Sequence, residues 1–98
     1  IVVTKYTGSG GKYSSNDADA EFVHEIRTLL NKNNITWQIG MLGKVDEGGG
    51  GTVAKYLANF GIRTIDVGPA LLAMHSPFEL ASKFDIYETY ISYKVFYK

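Results

Sequence analysis

Four consecutive glycines, Gly48 to Gly51, break this 98-residue chain more firmly than anything else in it. No helix or strand interior tolerates such a run, because glycine loses the most backbone freedom on ordering and offers no side chain to pack. The residues before Gly48 and those after Thr52 must therefore belong to separate elements. A second cluster, Gly8-Ser9-Gly10-Gly11, closes the opening run Ile1-Val2-Val3-Thr4-Lys5-Tyr6, whose β-branched residues read as a strand.

Between the clusters, Ser14, Ser15 and Asn16 are helix-capping residues, and Asp17 and Asp19 place carboxylates where a first turn favours them. A helix is expected to begin there. Phe22, Val23, Ile26, Leu29 and Leu30 then recur at helical spacing, with Glu21, Glu25, Thr28 and Lys32 on the opposite face. The pattern runs out at Asn31-Lys32-Asn33-Asn34, and Ile35 to Ile39 alternates as a short strand does.

Beyond the glycines, Thr52 is placed to cap a helix that would bury Val53, Tyr56, Leu57 and Phe60. Gly61 would stop it in the left-handed conformation, with Ile62 packing back on Leu57. Arg63 to Gly68 reads as a strand. Ser76-Pro77-Phe78-Glu79 has the form of a capping box with proline at the first helical position, predicting a last helix lined by Leu80, Phe84, Tyr87, Ile91 and Val95. The order β-α-β-α-β-α predicts one α/β segment, residues 1–98, with a largely parallel sheet.

Ten basic side chains balance ten acidic ones, so charge points to neither a nucleic-acid partner nor an electrostatic membrane anchor. No stretch approaches the roughly 20 apolar residues needed to cross a bilayer. The absence of cysteine excludes disulfides and a thiolate zinc site, and a reducing cytoplasm is the expected compartment. The chain begins on a strand-like run without methionine, and it is expected to be a fragment.

Several residues are placed for chemistry. His75 lies at a strand-to-helix junction, where open α/β sheets bind ligands, although a histidine hydrogen-bonded within a loop would look the same. His24 sits among charged residues on a helix and reads as solvated. The glycines before Thr52 permit close backbone approach to a ligand, and amides at a helix start would face an anion or a developing oxyanion. A plain flexible turn is the competing reading. Neither a phosphate-binding loop nor a dinucleotide fingerprint fits the spacing. Lys12 could meet a carboxylate or merely be solvated. Asp46 and Glu47 could be ligands, a general base or turn residues. Tyr87, Tyr90, Tyr93 and Tyr97 form a stripe suited to packing or an oligomer contact.

Three stretches together resemble the carboxy-terminal region of the aspartyl aminopeptidase family, metallo-exopeptidases with co-catalytic zinc, and especially its bacterial branch. They are Lys12-Tyr13-Ser14-Ser15-Asn16-Asp17-Ala18, Gly43-Lys44-Val45-Asp46-Glu47 running through Gly51-Thr52, and Ile65-Asp66-Val67-Gly68 leading to Met74-His75-Ser76. The resemblance implies a three-layer α/β/α zinc-exopeptidase-like fold, of which this chain is the carboxy-terminal portion of the catalytic domain. It implies that His75 is a metal ligand, that Gly50, Gly51 and Thr52 hold the substrate backbone or scissile carbonyl, and that Lys12 lies near a pocket for acidic amino-terminal residues. Where many family members carry a Cys-Gly-Ser/Thr-Thr-like sequence, this chain has only glycines before Thr52.

The family's remaining metal ligands and its general base lie upstream of the matched region, so no catalytic residue is expected in this segment. The resemblance further implies two zinc ions per active site, a peptide substrate and a homo-oligomer for the parent protein, with the segment inactive alone. The competing class is a non-catalytic α/β module whose glycine loop binds an anion or a partner and whose His75 is structural.

Overall fold

A computed structural model describes residues 1–8, 15–41 and 51–98. Its elements are β1 (Val2–Thr4), β2 (Tyr6–Gly8), β3 (Ser15–Asp17), α1 (Ala20–Lys32), β4 (Gln38–Ile39), α2 (Ala54–Ala58), β5 (Asp66–Gly68) and α3 (Lys83–Phe96). The α/β class is as expected. The sheet, however, is mixed: β1 lies between β4, which runs parallel to it, and β5, which runs antiparallel. The parallel pair is joined through α1, as a crossover requires. Between β4 and β5 the described helix is α2, only five residues long. At about 7 Å it is too short to carry the chain back across a sheet, and it packs on the β2–β3 hairpin instead.

That hairpin replaces the expected start of the first helix. Ser15, Asn16 and Asp17 pair antiparallel with Gly8, Thr7 and Tyr6. Once the hairpin claims this backbone, serine and asparagine satisfy their side chains outside a helix, as they readily do. Asn16 is buried and its Nδ2 donates to the Thr64 carbonyl at 2.8 Å, while Lys5 meets Asp17 at 2.9 Å. The actual cap is Asp19, whose Oδ1 accepts from the Phe22 amide at 2.8 Å.

α1 presents the face that its spacing predicts. Ile26 and Leu30 are buried with Ile1, Val3 and Ile35, and Phe22, Trp37, Ile65, Val67, Ile91 and Val95 pack against them. The helix ends at Asn33, with Asn34 left-handed at φ 56° and the Ile35 amide returning to the Leu30 carbonyl. On the surface, Arg63 forks onto Glu25 through both guanidinium nitrogens at 2.8 and 3.3 Å. That ion pair raises the Arg63 pKa, first through the hydrogen bond and then through charge.

Two apolar stripes fall differently from expectation. α2 buries Ala54, whereas Val53, Tyr56, Leu57 and Phe60 on and around it are all exposed, Phe60 by 81%. Gly61 does stop the chain left-handed at φ 73°, with the Ile62 amide reaching the Leu57 carbonyl at 3.3 Å. On α3, Ile91 and Val95 reach the core and Ser92 is buried, whereas Phe84 and Tyr87 face outward and Leu80, ahead of the helix, is exposed too. α1 and α3 pack on the same core cluster, and the apolar positions turned away from it make only surface contacts such as the Tyr87–Tyr90 ring pair.

The last helix also starts later than the capping box predicts, with its N-cap at Ser82 rather than Ser76. Glu79 does not reach back to Ser76. Its Oε1 accepts from the Leu72, Ala73 and Leu80 amides instead, and the Ser76 amide donates to the Ala73 carbonyl.

The tightest backbone approach lies at Gly40, just after β4. Its amide donates to the Val3 carbonyl at 3.0 Å, and a Cβ there would overlap Val2 Cγ1 and stand 3.4 Å from Thr4 Oγ1. Gly40→Ala is expected to destabilise the full-length protein by about 1–3 kcal/mol, the ordinary cost of overpacking. Chemical denaturation measures it, and an unchanged midpoint would refute the close approach.

Candidate functional site

β2 ends in Thr7-Gly8, and β5 begins with Asp66. Threonine suits a strand, but a carboxylate there requires partners, because a partly buried charge without hydrogen bonds is costly. Asp66 finds two. Its Oδ2 is 3.1 Å from Thr7 Oγ1 and 3.1 Å from Thr52 Oγ1, and the two hydroxyls are 3.0 Å from each other. Thr7 is only 1% exposed.

The triangle has three edges and two hydroxyl protons, since an ionised Asp66 can only accept. Both hydroxyls donate to Asp66, or Thr7 donates to Thr52 and Thr52 to Asp66, or Thr52 donates to Thr7 and Thr7 to Asp66. In each arrangement Thr52 Oγ1 also accepts from the Ala54 amide at 3.2 Å. Thr52 therefore holds the first amide of α2, close to the role its position predicts, although the N-cap itself is Val53. It also ties the residue after the glycine run to the β2 hairpin and β5. Gly51 is exposed, and among the described residues an added Cβ would meet only the Lys55 amine, 4.0 Å away. The turn thus presents open backbone beside an ammonium group, which itself lies 5.0 Å from the Tyr56 ring.

His75 is exposed, and its imidazole makes no hydrogen bond or ion pair among the described residues. Its backbone is left-handed, φ 67°, a conformation that few residues with a side chain adopt. Glu79 stands beneath this turn. Partial desolvation raises its carboxyl pKa, but the amides of Ala73, Leu80 and Leu72 outweigh that and hold it below the ordinary 4.5. Hydrogen bonds to the charged form are the physical cause of the net lowering.

The structure therefore brings Thr52 together with Thr7 and Asp66, and it sets Gly51 beside them. It gives His75 no bond to that cluster. Lys12, Gly50, Asp46 and Glu47 lie outside the described residues. His24 is exposed on α1, as expected. No group of three or more His, Cys, Asp or Glu side chains able to hold a metal occurs among the described residues. An open apolar cavity of about 460 Å³ between α1, β5 and α3 is lined by Phe22, Ile26, Leu57, Ile62, Tyr93 and Phe96 among others, and His75 is not in its wall.

Neither Thr7 nor Asp66 stands out as a candidate in the sequence. The available signal is a charged residue inside a β-branched run, Ile65-Asp66-Val67, which a half-buried strand retains only when something binds it. A capping-box reading gives Glu79 the wrong amides, because its partners lie in a loop whose path no periodicity describes.

Thr52→Val keeps the shape and removes the hydroxyl, leaving the Ala54 amide and part of the Asp66 charge unpaired. It is expected to cost about 1–3 kcal/mol of stability, with Thr52→Ser recovering most of it in equilibrium unfolding. Glu79 generates a pH dependence of definite sign. Because its folded pKa is depressed, its contribution is present above its ordinary 4.5 and lost as pH falls through the lower folded value. Hydrogen exchange at the Leu72, Ala73 and Leu80 amides should accelerate, beyond the intrinsic rate change, only in that acid window.

The match to known proteins covers the whole of this arrangement. Residues 1–97 match the family model of aminopeptidase I zinc metalloproteases, M18. A probable M18 family aminopeptidase 1 of Borrelia garinii subsp. bavariensis is 66% identical over 98 residues, 100% of this chain and 21% of that protein. The crystal structure of an M18 aminopeptidase from Thermotoga maritima superimposes with a TM-score of 0.85 at 57% identity, covering 96% of this chain and 21% of that one. Aminopeptidase I from Clostridium acetobutylicum gives 0.85 at 52% identity, over 99% of this chain and 21% of that one. The chain spans about a fifth of the length of these relatives. With sequence and structure agreeing from end to end, the chain belongs to the M18 family of aminopeptidase I zinc metalloproteases.

Proposed function

We propose that this chain is the carboxy-terminal part of the catalytic domain of a zinc-dependent aminopeptidase, and that His75 is one of its metal ligands. The observation that carries the reading is the His75 side chain, exposed and without a hydrogen-bond partner among the described residues, on a turn held in a left-handed conformation. A structural histidine would spend its ring nitrogens on the protein, whereas a ligand must keep one free.

The donor chemistry fits zinc in kind. An imidazole nitrogen is a normal zinc ligand, but one donor does not make a site, and catalytic zinc takes three protein ligands. The other ligands and the general base are supplied from the remaining four-fifths of the parent, so the segment alone is inactive. Bound zinc polarises the scissile carbonyl and makes water a better nucleophile at neutral pH.

In the same reading the turn at Gly50, Gly51 and Thr52 borders the peptide substrate. The Thr52 hydroxyl is engaged with Asp66 and Ala54, so its contribution is a fixed backbone rather than a free side chain. Lys12 supplies a preference for acidic amino-terminal residues. The parent carries two zinc ions per site, assembles as a homo-oligomer and works in the cytoplasm. The rival reading, an anion-binding module, is weakened by α2 itself. That helix is five residues long, and its leading amide, Ala54, is already taken by Thr52.

In the full-length parent, His75→Ala is expected to lose metal and to lower turnover of aspartyl and leucyl substrates by about 100-fold or more with its fold retained, since even indirect partners of a metal can be worth 10–100-fold. Metal analysis, activity and circular dichroism on the same sample test this. A variant that keeps both metal and turnover removes His75 from the site.

A further inference from the structure

The backbone around His75 is a tight turn. The Ala73 carbonyl accepts from the Ser76 amide at 2.9 Å, which makes Met74 and His75 its two central residues. A positive φ at the second central position is where glycine is ordinarily required. His75 holds that position at φ 67°. A strained residue of this kind persists only where its surroundings fix it.

What fixes it is one carboxylate oxygen. Glu79 Oε1 accepts from the Ala73 amide at 2.8 Å, from the Leu72 amide at 3.1 Å and from its own neighbour Leu80 at 2.7 Å. The Leu72 amide is also 3.2 Å from the Leu80 carbonyl, so the two ends of this loop are joined. The residue that opens the turn, Ala73, is thus anchored through its amide to Glu79 and through its carbonyl to Ser76. Between these two bonds Met74 and His75 have no freedom to unwind, and the imidazole is left facing solvent with its nitrogens unspent.

We infer that Glu79 is the positioning residue for His75, holding the 72–76 turn in the shape that presents the imidazole to zinc. The inference rests on the reading of His75 as a ligand. It adds a residue that touches neither metal nor substrate and acts through backbone amides alone. Preorganisation is the physical reason: a ligand held in place before the metal arrives does not lose conformational freedom on binding it.

The test is zinc affinity, measured by chelator competition on the full-length enzyme for wild type, Glu79→Ala, Glu79→Gln, Glu79→Asp and His75→Ala. Glu79→Ala is expected to weaken zinc by about 10-fold or more, in the range of other indirect partners of metal ligands. Glu79→Gln keeps an acceptor oxygen at the same reach and should recover most of the affinity. Glu79→Asp keeps the charge but falls a methylene short, and should recover less. If Glu79→Ala does not fold, the Gln and Asp variants decide, and equal affinities for those two would overturn the inference. Wild-type affinity in Glu79→Ala, beside a loss of zinc in His75→Ala, would overturn it while leaving His75 a ligand. Retained zinc in His75→Ala would overturn the ligand reading and this inference together.

Discussion

β1 hydrogen-bonds along both of its edges, and the rest of the segment is arranged around that fact. Val3, fully buried, pairs with Ile39 on one side and Val67 on the other. The Ile1 nitrogen donates to the Thr36 carbonyl at 2.7 Å, extending the contact with the strand after α1. Because β1 is central, Ile1 and Val3 meet Ile26 and Leu30 of α1 directly, and Ile91 and Val95 of α3 close over the same cluster. A core this small leaves little redundancy.

The polar contacts extend that frame to the places where chemistry is proposed. The Thr7, Thr52 and Asp66 triangle ties β2 and β5 to the turn after the glycine run. Asn16 adds a second link from β3 to the approach to β5. Farther along, Glu79 gathers amides from both sides of the His75 turn. At Asp66 and at Glu79 a carboxylate organises irregular backbone: it can take several donors at one oxygen, and hydrogen bonds to a charged group are stronger than neutral ones. The glycine run and the His75 turn are irregular segments carried on a regular scaffold, the usual division of labour between loops and elements.

Much of this is legible in the sequence where a residue's own neighbours decide its state. The α1 face comes from spacing, Gly61 from the demand for a left-handed stop, and the Thr52 contact from its place just before the Ala54 amide. The resemblance of Lys12–Ala18, the glycine loop and Met74-His75-Ser76 identifies the family correctly. The illegible parts depend on partners distant in the chain. Ser15 to Asp17 look like a helix start until Tyr6 to Gly8 pair with them. Ser76 to Glu79 look like a capping box until Leu72 and Ala73 capture the carboxylate. The orientation of β5 depends on the path after β4, which no local pattern encodes. Apolar spacing on α2 and α3 is real, yet spacing reports that a face is apolar and not what covers it.

The register of β1 also sets an order of events during folding. Val2 finds its partners at Gln38 and Gly68, so β1 waits for strands that lie well after it in the chain. Loop-closure entropy must be met before either pairing is rewarded, which makes such topologies slow relative to local helices. α1 and the β2–β3 hairpin can form from nearby residues while Val3 still lacks both neighbours. On a ribosome, the sheet would close only after Gly68 had cleared the exit tunnel, and until then Val3 would lack its pairing with Val67.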